Sequence, residues 1–363
     1  MRCSLRKGIK IAVCLSVLIF SVVLFFHDNF EKSLAAQGQS FRQKQHGVVG
    51  PVDQLLDTEL SRKQRNAMSV ETVKDDEKEK NPKTKPSLKS KDRRTEIDDI
   101  FIAIKTTKKY HIRRLKLLLD TWIPLAREET YIFTDGDDKL DVPDGHLINT
   151  NCSNTHYRKA LSCKMAVEYD YFMFSGKRWF CHLDDDTYLN VPGLVKLLQT
   201  YNHTDDWYLG RPSLRHPIEV VKRSNPEQKI AFWFATGGAG FCISRSLALK
   251  MMPHASGGRF MTTSDMIRLP DDCTVGFIIN NLLQKELTVI DRFHSHLEAL
   301  LWIHNLQDQL TFSYMDNNVV TIDGFSIAQD PSRLYSLHCM LFPTSDICNT
   351  LRKGQATAHK MKL

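Results

Sequence analysis

The chain has 363 residues, a formal net charge of +7 and 42% hydrophobic residues, enough apolar material for a sizeable buried core. A basic balance can indicate a nucleic-acid-binding protein, but here the lysines are interleaved with acids and lack aromatic partners. We therefore expect no nucleic-acid partner.

An apolar stretch near the N-terminus predicts a membrane anchor. Residues 9–26 are apolar or small except for Lys10, and basic residues precede them at positions 2–7. This length reaches the minimum for a transmembrane helix, roughly 17 residues. A cleaved signal peptide is the alternative, because small residues follow at 35–36. The basic flank favours a cytoplasmic tail of residues 1–8 and a lumenal remainder, as in a type II protein of the early secretory pathway.

The segment after the anchor has the composition of a linker. Residues 27–98 contain few aromatics, and lysines and acids crowd together at 74–80. Such a segment cannot bury enough apolar surface to offset chain entropy, so we expect a disordered lumenal stem. Residues 99–350 have the length and composition of one α/β domain, and residues 351–363 are expected to be a flexible tail.

Apolar runs and helical patterns alternate along residues 99–350. This alternation predicts a mostly parallel sheet with helices on both faces. The expected strands cover residues 98–105, 130–134, 179–183 and 207–210, and the expected helices cover residues 113–122, 162–174 and 191–198. No GxGxxG motif follows the first strand, so the sequence gives no indication of a dinucleotide-binding fold.

Three consecutive acids, Asp184, Asp185 and Asp186, directly follow the apolar run at 179–183. In open α/β sheets, functional side chains lie at the carboxyl ends of the strands. Three carboxylates at such a point repel one another unless a cation neutralises them, and Mg²⁺ or Mn²⁺ with a diphosphate would do so. The alternative is a solvated acidic turn. The spacing does not fit an EF-hand.

Three further segments carry candidate functional residues. Residues 232–240 join Trp233 to a glycine-rich bend, which suits a sugar-binding site or, alternatively, a hairpin beside a core aromatic. Asp271 and Asp272 begin a predicted helix, where they are either capping residues or include a general base. His294 and His296 offer imidazole metal ligands or, alternatively, lie on a surface strand.

The sequence resembles the Fringe glycosyltransferases across residues 99–348, in motifs that occur in the order WFCHLDDDTYLN, FWFATGGAGFCIS, RLPDDCTVGF and FHSHLE. The resemblance implies a GT-A-like α/β fold in a type II Golgi membrane protein. It also implies transfer of N-acetylglucosamine from UDP-GlcNAc, in β1,3 linkage, to O-linked fucose on EGF repeats of Notch receptors. A related β-1,3-glycosyltransferase with another donor or acceptor is the alternative, and a non-catalytic lectin is a third possibility.

The resemblance also implies roles for individual residues of the acidic and histidine motifs. Asp186 and His296 would bind Mn²⁺, and Asp185 would contact the donor. Asp272 would be the catalytic base that accepts a proton from the acceptor hydroxyl.

Further contacts are implied for residues outside those motifs. Trp233 and the bend at Gly237 and Gly238 would lie where donor and acceptor sugars meet, and Thr134 with Asp135 would meet the nucleotide. The chain departs from the family at Ile112, where relatives tend to carry an arginine that contacts substrate. We expect Arg113 to replace it.

The chain has nine cysteines and no CxxC spacing, which argues against a zinc ribbon or a thioredoxin-type site. Two pairs are close enough in sequence for local loops, Cys152 with Cys163 and Cys339 with Cys348. The resemblance implies a third pair, Cys181 with Cys242, and leaves Cys273 as a free buried thiol. Asn151 and Asn202 begin N-glycosylation sequons.

Overall fold

The structure is a computed structural model that describes residues 93–221 and 229–360, with side chains up to residue 353. The predicted cytoplasmic tail, membrane anchor and most of the stem, up to residue 92, lie outside the described residues. Within the described ranges, no helix has both the length and the apolar composition needed to cross a membrane.

The strands of the domain are short, and seven of them form one central sheet. The sheet has the order β10-β6-β9-β4-β1-β2-β3, and only β9 runs antiparallel to its neighbours among these described strands. The smaller pairs are β5 with β11 and β7 with β8. The strands are β1 Ile100–Lys105, β2 Thr130–Thr134, β3 Leu147–Asn149, β4 Trp179–Asp184, β5 Tyr188–Leu189, β6 Tyr208–Gly210, β7 Ile218–Val221, β8 Lys229–Phe232, β9 Phe241–Ser244, β10 Thr288–Val289 and β11 Thr311–Phe312.

The helices connect these strands. The α-helices are α1 Lys116–Asp120, α2 Arg158–Ser175, α3 Val191–Leu198, α4 Arg245–Ala255, α5 Arg259–Ile267, α6 Asp271–Gly276, α7 Leu334–Leu341 and α8 Asp346–Lys360. A π-helical turn, His111–Leu115, leads into α1, and a second, Phe277–Leu282, continues α6. Short 3₁₀ turns cover Ile97–Asp99, Lys108–Tyr110, Ile123–Glu129, Gly237–Ala239, Leu300–Trp302 and Leu306–Asp308.

Both faces of the central sheet are buried. Along β1, Ile102 and Ile104 pack into one apolar cluster, whereas Phe101 and Ala103, which point the other way, pack into a second. All four side chains are essentially inaccessible to solvent. A strand buried on both faces requires an unbroken apolar run, which is the pattern that predicted it. The expected α/β architecture, a mostly parallel sheet with helices on both faces, is confirmed.

The boundaries of the ordered domain differ from the expected ones. The chain is already ordered before residue 99, since the turn Ile97–Asp99 precedes β1 and Arg93 forms an ion pair of 2.9 Å with Asp99. At the other end, the predicted flexible tail begins inside α8, which runs to Lys360. The hairpin of β7 and β8 was not predicted, because its strands are short and only half-buried.

The expected cysteine chemistry is confirmed. Disulfides join Cys152 to Cys163, Cys181 to Cys242 and Cys339 to Cys348, and Cys273 is free and buried. Cys181 and Cys242 are direct register partners on β4 and β9, so this disulfide ties the strand that ends in the acidic residues to its antiparallel neighbour.

The two sequon asparagines differ in their local setting. Asn151 and Asn202 are both exposed, and the middle residue of the first sequon, Cys152, is disulfide-bonded. Glycosylation at these positions stays a prediction.

Helix α6 packs so closely that its last residue has no space for a side chain. A Cβ at Gly276 would lie 2.2 Å from Phe234 Cβ and 2.7 Å from the Trp233 carbonyl oxygen. We predict that Gly276→Ala lowers the free energy of unfolding by about 3 kcal/mol, since overpacking costs roughly 1–3 kcal/mol and a backbone atom must move here. Denaturant unfolding measures the effect.

Gly136→Ala is the matched control for this substitution. Its added Cβ would meet the flexible Lys108 side chain, with Cδ at 2.8 Å, and this side chain can move away. Equal losses of stability in the two variants would contradict the packing described for α6.

Candidate active site

A cavity of about 560 Å³ lies at the carboxyl ends of β1 and β4. Six of the residues predicted from the sequence to form the site line this cavity together, namely Asp185, Asp186, Gly237, Gly238, Asp272 and His296. They come from separate parts of the chain, and the fold brings them to one place. Four other predicted residues are not among the lining residues, namely Arg113, Thr134, Asp135 and Trp233.

The acidic residues that follow β4 are not a solvated turn. Asp185 and Asp186 are only 5% and 6% exposed. The Thr106 hydroxyl donates a 2.7 Å hydrogen bond to Asp185 Oδ2. Arg114 Nη1 donates to Asp185 Oδ1 at 3.2 Å and to Asp186 Oδ2 at 3.0 Å. Its guanidinium also lies over the Tyr110 ring, 4.2 Å from the centroid, which fixes its position.

Asp186 retains a buried oxygen without a partner. Its Oδ1 atom accepts no hydrogen bond within the described structure. Burial, followed by the neighbouring charges of Asp184 and Asp185, raises the pKa of Asp186 to about 7. A buried carboxylate oxygen that lacks a donor costs free energy, and a hard cation would remove that cost.

His296 lies on the loop that faces the acidic residues. Its backbone N–H donates to Ser313 Oγ at 2.7 Å, and its Nδ1 lies 3.1 Å from the same hydroxyl. Burial lowers the pKa of His296, which favours the neutral imidazole that a metal requires. Among the described residues, no group of three or more His, Cys, Asp or Glu side chains is arranged to hold a metal. The pair Asp186 and His296 would therefore supply only part of a coordination shell.

Asp272 lies in the first turn of α6 and does not act as its cap. The N-cap position is occupied by Pro270, which makes no side-chain cap. Asp272 Oδ1 accepts a 2.8 Å hydrogen bond from its neighbour's backbone N–H at Cys273, and Oδ2 accepts one of 3.2 Å from Gly237 N–H. Burial and the adjacent Asp271 raise the pKa of Asp272 to about 6. This carboxylate is held in place by two hydrogen bonds and lines the cavity. It can accept a proton near neutral pH.

The glycine-rich segment is a 3₁₀ turn between β8 and β9. Gly240 has φ +83°, and a Cβ there would lie 2.5 Å from Leu183 Cδ2, so this position needs glycine. A Cβ at Gly237 or Gly238 would make only ordinary contacts, at 3.6 Å or more, with Asp272 or His296. These two glycines keep the cavity open.

Two predicted nucleotide contacts lie behind the cavity wall. Thr134 is buried, and its hydroxyl lies 2.8 Å from His111 Nε2. Asp135 forms a buried ion pair of 2.7 Å with Lys164, which lines the cavity and also donates to the Thr106 carbonyl oxygen. Asp135 therefore positions Lys164 in this structure.

Arg113 and Trp233 also lie outside the cavity lining. Arg113 is exposed, whereas the next residue, Arg114, enters the site. Trp233 is half-buried, and its backbone N–H donates to Asn280 Oδ1 at 2.9 Å. Arg114 is not distinguishable from Arg113 in the sequence, because the π-helical turn changes which side of the segment faces the cavity.

Lys105 is a second residue of the site that was not predicted from the sequence. It ends β1, in register with Asp184 on β4. Its Nζ forms ion pairs of 2.6 Å with Asp271 and 3.2 Å with Asp184. A lysine that closes a buried apolar strand was the available signal, because the neighbouring parallel strand ends in acids.

The raised pKa of Asp186 predicts a measurable pH dependence of stability in metal-free buffer. Between about pH 4 and pH 7 the folded state holds a proton that the unfolded state has lost, so stability falls as pH rises. Asp186→Asn removes this effect, and we expect its stability relative to the parent protein to grow from pH 5 to pH 8, by on the order of 1–4 kcal/mol. Denaturant unfolding at several pH values measures it.

Asp206→Asn is the control, because its effect on the stability of the fold at neutral pH should have the opposite sign. Burial tends to raise the pKa of Asp206, but hydrogen bonds from Lys250 and Lys285 lower it to about 2. The ionised form of Asp206 therefore stabilises the fold. This variant should be less stable than the parent at neutral pH. A stability difference for Asp186→Asn that does not change with pH would contradict the described environment of Asp186.

Residues 95–345, more than half of the chain, match the family model described as Fringe-like. The Fringe glycosyltransferase of Drosophila melanogaster is 56% identical over 265 residues, which cover 70% of this chain and 64% of that protein. The β-1,3-N-acetylglucosaminyltransferase lunatic fringe of Danio rerio is 57% identical over 69% of this chain and 70% of its own length. The radical fringe enzyme of Notophthalmus viridescens is 51% identical over 75% of this chain and 74% of its own length.

Among solved structures, a glycosyltransferase involved in glycosylation of the major capsid of PBCV-1 has a TM-score of 0.29 and 12% identity, covering 59% of this chain and 92% of that chain. A TM-score this low carries no argument about fold or function. The family match and the identities to named relatives do carry one, and the chain belongs to the Fringe family of glycosyltransferases.

Proposed function

We propose that this protein transfers N-acetylglucosamine from UDP-GlcNAc, in β1,3 linkage, to O-linked fucose on EGF repeats of Notch receptors, and so modulates Notch signalling. The observation that carries the proposal is the presence of Asp272 in the same cavity as Asp185, Asp186 and Arg114. Two separate functions, binding of a charged leaving group and proton removal, are thereby available at one place. The relatives named as β-1,3-N-acetylglucosaminyltransferases support the donor sugar and the linkage.

The donor diphosphate would lie against Arg114 and the acidic residues after β4. Asp186 and His296 would bind Mn²⁺ there, and the unpartnered Asp186 Oδ1 fits a hard cation. When bound, the metal supplies neutralisation of the negative charge that develops on the leaving UDP. Arg114 adds a fixed positive charge, and Asp185 is held by Thr106 in a position to contact the donor.

Asp272 would act as the general base. Its two oxygens each accept one backbone hydrogen bond, which leaves a lone pair for the proton of the fucose 3-hydroxyl. As the hydroxyl oxygen attacks the anomeric carbon, the bond to UDP breaks on the opposite face. One displacement converts the α-linked donor into a β-linked product without a covalent enzyme intermediate. A positioned base of this kind contributes roughly 10²–10⁴-fold to the rate.

The cellular location belongs to the same proposal. Residues 9–26 would anchor the chain in the Golgi membrane, with residues 27–92 as a stem and the catalytic domain in the lumen. The three disulfides support an oxidising compartment, because such bonds are rare in the cytosol.

A transfer assay tests the proposal. The protein is incubated with UDP-GlcNAc, Mn²⁺ and an O-fucosylated EGF repeat, and the product is analysed by mass spectrometry. We expect addition of one N-acetylhexosamine, and no addition to the same repeat without fucose. Chelation of the metal should stop transfer, and added Mn²⁺ should restore it.

The same assay distinguishes the proposed function from the second candidate function. Transfer from another UDP-sugar in place of UDP-GlcNAc, or transfer to an acceptor without fucose, would show a related β-1,3-glycosyltransferase instead. If the protein bound the sugars but transferred none of them from any donor, this result would contradict an enzymatic function.

Removal of the base should separate catalysis from donor binding. We predict that Asp272→Asn reduces kcat by about 10²–10⁴-fold while the Kd for UDP changes little. Since the pKa of Asp272 is raised to about 6 and the ionised form is the active one, kcat/KM of the parent should fall as pH drops below about 6. Near-normal transfer by the variant would rule out Asp272 as the base.

The two adjacent arginines give a matched pair of variants. Arg114 enters the cavity and bonds to Asp185 and Asp186, whereas Arg113 is exposed. We predict that Arg114→Ala weakens UDP binding at least tenfold, because a charge-assisted contact is worth about 1.5–3 kcal/mol. Arg113→Ala should bind UDP like the parent protein. Titration calorimetry measures both, and the reverse ranking would show that the orientation of this turn is misassigned.

A further inference from the structure

The Lys105 side chain is buried between two functional segments. It is 10% exposed, and its Nζ atom lies 2.6 Å from Asp271 Oδ2, 3.2 Å from Asp184 Oδ1 and 3.4 Å from His182 Nε2. Asp184 directly precedes the acidic pair after β4, and Asp271 directly precedes Asp272 in α6. A single ammonium thus joins the donor side of the cavity to the helix that carries the proposed base.

We propose that Lys105 is a positioning residue: by holding the carboxylates of Asp184 and Asp271 together, it fixes the first turn of α6 so that Asp272 faces the cavity against Gly237. The proposal rests on the proposed function of Asp272 as base. Lys105 acts through its two carboxylate partners and through the backbone that they belong to.

Two neighbouring buried groups fix the position of the ammonium. Glu168 Oε2 lies 2.6 Å from His182 Nδ1, and neither side chain is accessible to solvent. Although burial acts in the opposite direction, Glu168 raises the pKa of His182 to about 9, so the imidazole is cationic at neutral pH. His182 Nε2 lies 3.4 Å from Lys105 Nζ, so the imidazole borders the ammonium beside its contact with Asp271. Glu168 is the anionic partner of His182, and Asp184 and Asp271 are the anionic partners of Lys105, so losing one member of this buried cluster leaves a charge uncompensated.

The same cluster faces the proposed base. The charged and titratable groups around Asp272 are Asp271, Lys105, Tyr208 and Cys273, and the Gly237 N–H donates to it. Burial and Asp271 raise the pKa of Asp272, whereas the Gly237 N–H and Lys105 lower it. Without Lys105 the Asp272 carboxyl would keep its proton up to a higher pH. Helix α6 would also lose the ion pair between Lys105 and Asp271 that fixes its first turn.

The first experiment measures the coupling between Lys105 and Asp271 without any substrate. Melting temperatures are compared for the parent, Lys105→Met, Asp271→Asn and the double variant. Removing both partners leaves less uncompensated charge than removing Lys105 alone, so the double variant should melt higher than Lys105→Met and be secreted in greater yield. A double variant that is no more stable and no better secreted than Lys105→Met overturns the proposal.

The second experiment measures positioning through kinetics. For Lys105→Met we expect kcat to fall at least about tenfold, KM for the donor to stay within about threefold, and the acidic limb of the pH profile to move up by about one unit. Lys105→Arg, which retains the charge, should keep the acidic limb of the parent. An unmoved limb in Lys105→Met, or one that moves equally in Lys105→Arg, overturns the proposal.

Lys116→Met is the matched control. Lys116 forms an ion pair of 2.7 Å with Asp120 on the exposed face of α1, away from the cavity lining, so its loss should leave kcat and the pH profile unchanged. If the proposed function were wrong, the parent protein itself would show no transfer. The melting comparison would still report on Lys105 in that case.

Discussion

The concentration of aspartate side chains at one end of the sheet is the constraint on which the site depends. Residues 184–186 and residues 271–272 line one cavity. Lys105 and Arg114 compensate part of this charge, each by bridging two carboxylates. Burial raises the pKa values of Asp186 and Asp272, so the described positive charges compensate neither carboxylate fully. Such a site would suit the cation and the nucleotide of the proposed function.

The rest of the fold keeps these groups in register. The pairing of β1 with β4 sets Lys105 opposite Asp184, and the disulfide from Cys181 to Cys242 ties β4 to β9. The turn before β9 supplies the Gly237 N–H to the proposed base, and Gly240 permits the close approach of that turn to β4. Backbone pairing therefore positions Lys105 and the turn at Gly237, whereas Asp272 is positioned by helix α6 and His296 by a loop.

Part of the fold and site was accessible from the sequence for clear physical reasons. Buried parallel strands have unbroken apolar runs, so β1, β2 and β4 were predicted close to their observed bounds, and helix α3 was predicted over its full observed range beginning after the N-cap Asn190. The acidic residues after β4 were recognisable because functional side chains lie at strand ends. The pairing of Cys181 with Cys242 came from the family resemblance and not from residue spacing.

Other features depend on local geometry that the sequence does not encode in a simple pattern. Arg114 was missed in favour of Arg113, because a π-helical turn departs from the usual 3.6-residue period. Asp135 was expected to meet the nucleotide but pairs with Lys164 behind the cavity wall, a contact between residues 29 positions apart. Trp233 was expected beside the sugars but is not among the residues that line the cavity.

A crystal structure of the domain with Mn²⁺ and UDP would locate the metal, since anomalous scattering identifies manganese independently of the protein atoms. We expect a manganese peak within coordination distance of Asp186 and His296, with the diphosphate beside Arg114. A vacant cavity under saturating ligand, or a nucleotide bound elsewhere on the domain, would contradict it.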